Sequence, residues 1–315
     1  MTSRRIGRTA CAAAMVFGVA VALPAAQGQQ GGGAQGAAAQ GQRGAGGGQQ
    51  PQVEIPWNDS IPAGTAAHAA KALADSPRHG EWVDIALPDG GKLNSWVVYP
   101  ERKDRAGVVL VIHDINGMRD IPRAVGDQLA QDGFIAIVPD FLSGKGPDGG
   151  GSASLGGGVG QAIRALTDDE MTARLNAAME YGRKLPASNG KTAVIGFCWG
   201  GTRVWSYAMN QPGLSAAVPY YGSAPTATAE TIDEAQVAKI KAPVLAMYGG
   251  DDARINNTIP PTEAAMKKLG KSFDKHIFEG AGHGFLGSQA GREANLKASV
   301  QAWPLTITFF RTHLK

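Results

Sequence analysis

Only two cysteines occur in the 315 residues, Cys11 and Cys198. The first lies in a segment read below as a removable leader, so the exported chain would keep Cys198 alone and could form no internal disulfide. A lone thiol in an oxidising compartment is retained when it is deeply buried or chemically required, and composition leaves both readings open. Charge of one sign is also missing. Thirty Lys and Arg face 27 Asp and Glu, and setting aside Arg4, Arg5 and Arg8 of the leader leaves 27 against 27. Without a basic stripe, nucleic acid and anionic membrane surfaces are excluded as partners, and a small or uncharged one is expected. No apolar run reaches the roughly 18 residues that a membrane span requires. No H-E-x-x-H or Cys/His cluster is present, which excludes a zinc site. Gly190-Lys191-Thr192 looks like the end of a phosphate-binding loop, but Leu185 stands where that loop needs glycine and the triplet precedes a strand.

What is present begins with a basic start, an apolar run from Ala10 to Leu23 and small residues at Ala26 and Gly28. Residues 1–28 therefore read as a secretory signal peptide, and the protein as periplasmic or secreted. Ser3-Arg4-Arg5 also suits a twin-arginine signal, although Gly7 departs from the bulky residue usual there, so both export routes stay open. Residues 29–52 are almost wholly Gly, Gln and Ala, with nothing to bury, and read as a flexible tether. Residues 53–315 are expected to form one domain, with ample apolar material for a core, as 43% of the chain is hydrophobic.

Strand-length apolar runs recur at residues 82–87, 93–99, 108–113, 134–138, 192–197, 216–221, 244–248 and 275–278. The first two flank Pro88-Asp89-Gly90-Gly91, a hairpin signal, and the later ones are continuously apolar, as strands buried on both faces are. A helix is expected after the capping box that starts at Thr167 and ends at Glu170, burying Met171, Leu175, Ala178 and Met179 before Pro186. Another should begin at Cys198. An N-terminal antiparallel hairpin leading into alternating strands and helices predicts an α/β fold with a mostly parallel, doubly wound sheet, whose chemistry gathers at the C-terminal strand ends.

Three such ends carry reactive residues. Gly196-Phe197-Cys198-Trp199-Gly200-Gly201 has the form of a nucleophile elbow, with glycines two residues either side of a cysteine. Its sulfur would sit at a helix N-terminus, where the macrodipole favours thiolate. A cysteine at its ordinary pKa of about 8.5 is only slightly ionised at neutral pH, so it gains from a base, and the base from an orienting carboxylate. Asp251 and Asp252 follow the strand at 244–248, and His283 follows the strand at 275–278. Nucleophile, acid and histidine in that order form the α/β-hydrolase arrangement. Trp199, directly after the nucleophile, supplies one oxyanion-hole amide by position, and the loop His113-Asp114-Ile115-Asn116-Gly117 should supply the second. His113 is a competing base, but its spacing pairs it with no acid, and a structural role is preferred. Residues 144–160, rich in glycine, read as a mobile loop near the mouth of the site or a plain insertion.

Ser188-Asn189-Gly190-Lys191 leading into the elbow, Tyr220-Tyr221-Gly222, and Gly280-Ala281-Gly282-His283-Gly284-Phe285 together resemble the dienelactone hydrolase family of the α/β-hydrolase superfamily. The resemblance runs from about Trp82 to Lys315 and also takes in residues 108–117 and Pro139-Asp140. It implies Asp252 as the triad acid, because Gly249, Asp252 and Ile255 match the family pattern, and Ile115 as the second oxyanion donor. It implies that Asp114 stands where the family carries glutamate against the resting thiol, one methylene shorter. It further implies a small monomer without metal or organic cofactor, acting on a small-molecule ester or lactone. The family's carboxylate-gripping arginines find only Arg164 and Arg254 as nominees. The expected function is thus hydrolysis of carboxylic esters or lactones by a Cys198, His283, Asp252 triad through a thioester. A broad esterase acting on substrates such as acetylated sugars, or a non-catalytic ligand-binding relative, is the alternative.

Overall fold

The computed structural model describes Ile55 and residues 58–315, so the expected leader at 1–28 and tether at 29–52 lie outside the described residues. All described residues belong to the compact unit Gly48–Lys315. Alternation organises the sheet. Along one strand Val108, Leu110 and Ile112 join the core on one face, while Val109 and Val111 join the core on the other, and all five are fully buried.

Eight strands build that sheet: β1 (Gly80–Ala86), β2 (Lys92–Val98), β3 (Ala106–Ile112), β4 (Ile135–Pro139), β5 (Ser188–Phe197), β6 (Ala216–Tyr220), β7 (Val244–Gly249) and β8 (Phe273–Phe278). Their order is β1-β2-β4-β3-β5-β6-β7-β8. β1 and β2 form an antiparallel hairpin, β2 lies antiparallel to β4, and every later pairing is parallel. The fold is therefore α/β, as the sequence pattern predicts. One boundary differs: β5 starts at Ser188 rather than Thr192, because a register shift between Ala106 and Val108 lets Ser188 pair with Ala106.

The helices are α1 (Ala66–Asp75), α2 (Asp120–Gln131), α3 (Ser152–Leu155), α4 (Val159–Ala165), α5 (Asp168–Lys184), α6 (Trp199–Asn210), α7 (Glu234–Ala238), α8 (Ala253–Asn256), α9 (Ile259–Lys268) and α10 (Glu293–His313). α5 starts on its capping box, with three acids in the first turn and Arg183 and Lys184 in the last, and it buries all four expected apolar residues. It stops at Lys184, capped by Leu185. The reading of residues 144–160 as a bare loop needs correction. A 3-10 turn at Pro147–Gly149, α3, a second 3-10 turn at Gly156–Gly158 and the start of α4 run through it, with single glycines absorbing the bends. Among the described residues no helix is long and apolar enough to cross a membrane.

Candidate active site

Cys198 caps α6 from the end of β5 with φ 58° and ψ −116°, a left-handed conformation that costs a non-glycine residue on the order of 1–3 kcal/mol. Two bonds hold it there. Its amide donates to Tyr220 O at 3.1 Å, and its carbonyl accepts from Thr202 N at 3.2 Å. The flanking glycines are steric requirements. A Cβ on Gly196 would lie 2.4 Å from Gly200 O, and one on Gly200 would lie 2.5 Å from the carbonyls of both Ile112 and His113. The turn thus packs backbone against backbone, and the sulfur is left partly exposed and unpaired with any other cysteine.

His283 reaches this sulfur from the loop after β8, where Gly280 and Gly284 take positive φ values of 69° and 75°. Its Nδ1 lies 2.5 Å from Asp252 Oδ2. Asp252 follows β7, caps α8 and is only 7% exposed. The imidazole pKa is pushed up to about 9, chiefly by the hydrogen bond to Asp252 and next by one to Cys198, with burial opposing. Asp251 points elsewhere, 2.7 Å from Arg292 Nη1. The turn that separates the two aspartates is fixed by Asn256 Nδ2, which donates to Gly249 O at 2.8 Å and Gly250 O at 3.1 Å.

The other nominated residues divide. The amides of Ile115 and Trp199 make no hydrogen bond among the described residues. Asp114 turns its carboxylate to Arg119, 2.8 Å away, and to the amide of Asn116 at 2.8 Å, so its partners are these and not the thiol. His113 is fully buried, which pushes its pKa down and keeps it neutral. Its Nε2 accepts from Phe141 N at 3.3 Å and its Nδ1 donates to Asp114 O at 3.0 Å, leaving neither nitrogen for a thiol. The ring instead stacks 6.0 Å from that of Trp199, buttressing the residue after Cys198. Arg164 and Arg254 are both exposed; the first is tied to Gly160 O at 3.0 Å.

Two features were missed in the sequence. Tyr221, quoted above only as part of a motif, has φ 39°, is buried, and sets its ring edge-on to His283 at 5.2 Å. Burial, then the Asp114 charge, pushes its phenol well above its ordinary pKa, so it stays neutral beside the histidine. Asp140, after β4, holds Ser152 of α3 through Ser152 N at 2.8 Å and Ser152 Oγ at 2.6 Å. Ser152 Oγ in turn accepts from Met118 N at 3.0 Å, which fastens α3 to the turn carrying Ile115. The Pro139-Asp140 pair was the available signal, but nothing in the spacing linked it to a serine in a glycine-rich stretch.

Comparison with known proteins agrees with this fold. The model of the dienelactone hydrolase family matches residues 93–314. A provisionally named carboxymethylenebutenolidase of Methylorubrum extorquens is 29% identical over 210 residues, covering 64% of this chain and 71% of the relative. A protein of the same provisional name from Yersinia pestis is 24% identical over 254 residues, covering 78% and 94%. The crystal structure of a provisionally named dienelactone hydrolase from Klebsiella pneumoniae superposes with a TM-score of 0.63 at 22% identity, covering 74% of this chain and 98% of that one. With a family match spanning most of the chain and the strand order of the superfamily, the protein is a hydrolase that belongs to the dienelactone hydrolase family.

Proposed function

We propose that this protein is an exported hydrolase of carboxylic esters or lactones in which Cys198 is the nucleophile, His283 the acid and base, and Asp252 the orienting carboxylate. The observation that carries the reading is the bond between His283 Nδ1 and Asp252 Oδ2, 2.5 Å long, on a ring whose pKa Cys198 also raises. His283 takes the thiol proton as Sγ attacks the carbonyl carbon, and the developing oxyanion is met by the Ile115 and Trp199 amides. His283 then gives that proton to the departing alkoxide, which leaves a thioester on Cys198; a pKa pushed up to about 9 lets the ring hold the proton in between. Water then loses a proton to His283 as its oxygen attacks the thioester, and the sulfur departs. The neutral Tyr221 ring keeps the histidine's face dry without competing for its proton. No group of three or more His, Cys, Asp or Glu side chains that could hold a metal ion occurs among the described residues. Export rests on Arg4, Arg5 and Arg8 before the apolar run and on the small residues at Ala26 and Gly28.

The test is hydrolysis of 4-nitrophenyl acetate before and after thiol alkylation, with the acyl-enzyme sought by mass spectrometry of acid-quenched protein. An acetyl group on the Cys198 peptide supports the reading. Undiminished turnover after complete alkylation overturns it. For export, the secreted or periplasmic fraction should begin near Gln29, and an intact Met1 there would refute cleavage.

A further inference from the structure

Two cavities of unequal size flank the oxyanion turn. The smaller, about 30 Å³, has apolar walls from Ile121, Val125, Phe197, Tyr221 and Leu286. That volume holds about two water-sized groups, the size of an acetyl and little more. The larger is a cleft of about 810 Å³ between β1, β2, the start of α2 and the glycines around α3. The two meet at one ion pair: Asp114 lines the chamber, Arg119 lines the cleft, and their side chains lie 2.8 Å apart.

The cleft wall has two properties that select a ligand class. The first is charge balance. Asp84 faces Lys92 at 3.1 Å and accepts from Asn94 Nδ2 at 3.1 Å, while Asp120 faces Arg123 at 3.1 Å and Asp114 faces Arg119. Three carboxylates, Asp84, Asp120 and Asp140, stand against three cations, Lys92, Arg119 and Arg123, along the cleft, so no net field draws an ion in. Yet every carboxylate keeps free lone pairs and every cation spare N–H groups, a wall suited to hydroxyls, which both donate and accept. The second is Trp82, 45% exposed on the edge strand. Its ring is held 5.4 Å from that of Trp96 at 61°, and the Arg123 guanidinium covers one face 5.3 Å from the centroid, so the other face is the flat aromatic surface offered in a fixed orientation. The weakly positive C–H face of a pyranose ring matches the negative face of an indole.

We propose that the substrates are short-chain acyl esters, acetyl foremost, of saccharide hydroxyls, with the acyl methyl in the small chamber and the sugar in the Trp82 cleft. This rests on the esterase reading above and names its substrate class. Atoms balance as follows. The S–H bond breaks as its proton passes to His283, the bond from Sγ to the carbonyl carbon forms, the bond from that carbon to the sugar oxygen breaks, and the sugar oxygen takes that proton from His283. Water then gives a proton to His283 as its oxygen adds to the carbon, the carbon–sulfur bond breaks, the sulfur takes that proton back, and the acid is released.

The experiment compares kcat/KM for a mono-acetylated xylobiose and for 4-nitrophenyl acetate, which share an acyl group, on the full exported protein. The wild type is expected to cleave both, and to prefer 4-nitrophenyl acetate over the octanoate by at least tenfold. Trp82→Ala should lower the saccharide-to-aryl ratio about tenfold, chiefly through KM. Trp82→Phe should restore most of that loss, and thermal melts check the folding of each variant. Ile277→Ala, at an exposed position on the opposite sheet edge, should move the ratio less than twofold. A protein that cleaves the aryl acetate but leaves the acetylated disaccharide untouched overturns the saccharide assignment while sparing the esterase reading. So does a ratio indifferent to Trp82→Ala. If no ester is cleaved, it is the esterase reading that fails, and the cleft is then judged by tryptophan quenching with xylobiose itself: saturable quenching that Trp82→Ala abolishes supports it, and none overturns it.

Discussion

Asp252 and Asp251 are neighbours that serve opposite directions: the first holds His283 at 2.5 Å, and the second, 55% exposed, holds Arg292. The backbone turn that parts them assigns one carboxylate to the histidine and the other to the surface.

Asp252→Asn should therefore lower kcat on 4-nitrophenyl acetate by on the order of 1,000-fold or more, because an amide stabilises neither the tautomer nor the imidazolium. Asp251→Asn removes an exposed ion pair worth under about 1 kcal/mol and should change kcat less than threefold. Steady-state kinetics of the two variants decide the matter, and a larger loss in Asp251→Asn would reverse the assignment.

At the elbow, activity and backbone ease are set against each other. Both Cys198→Ala and Cys198→Gly should be inactive, but the glycine variant should be the more stable by about 1 kcal/mol, since φ 58° strains any side chain. Denaturant midpoints of the two, compared directly, measure this. Cys198→Ser should shift the preference away from aryl esters toward alkyl esters, because alkoxide, unlike thiolate, does not depart readily from the tetrahedral adduct. An aryl-to-alkyl ratio that does not move would mean that Cys198 is not the attacking group.

For His283 the sign follows from a pKa raised in the fold from 6.5 to about 9. Its contribution to stability is complete below about pH 6.5 and is lost as pH rises through 9. The stability gap between wild type and Asp252→Asn should narrow across that window in urea melts taken from pH 6 to 10. In parallel, kcat/KM for alkyl esters should fall above about pH 9, as the proton needed by the alkoxide leaves. A gap that widens with pH contradicts the assignment.

The glycines give a test of packing alone. Gly200→Ala drives a Cβ into two carbonyls at 2.5 Å and should cost about 3 kcal/mol or prevent folding. Gly157→Ala, with nothing within 4 Å, should cost less than about 1 kcal/mol. Equal melting temperatures would count against the close backbone packing described here.

Much of this site could be read before any coordinates were known, because its parts are tied to local sequence rules. The elbow demands glycines at 196 and 200, strand ends place His283 and the pair Asp251 and Asp252 by chain order, and the family resemblance chose Asp252 of the two. The sheet was legible for the same reason, since strands buried on both faces leave continuous apolar runs. What stayed hidden was set by contacts across the chain. The rotation of Asp114 toward Arg119 depends on how α2 leaves the oxyanion turn. The neutral role of His113 needs the amide of Phe141, 28 residues away. The cleft beside Trp82 joins β1, α2 and a glycine-rich stretch whose short helices carry too little pattern to announce themselves.

The serine hydroxyl shared between Asp140 and Met118 ties the turn at Met118 and α3 together, because freeing either breaks into the same three bonds. Met118 thereby carries its own gauge: its amide can exchange with deuterium only when Ser152 lets go. Protection at that single amide, followed with and without a bound acyl group, reports how often Ser152 releases the turn at Met118.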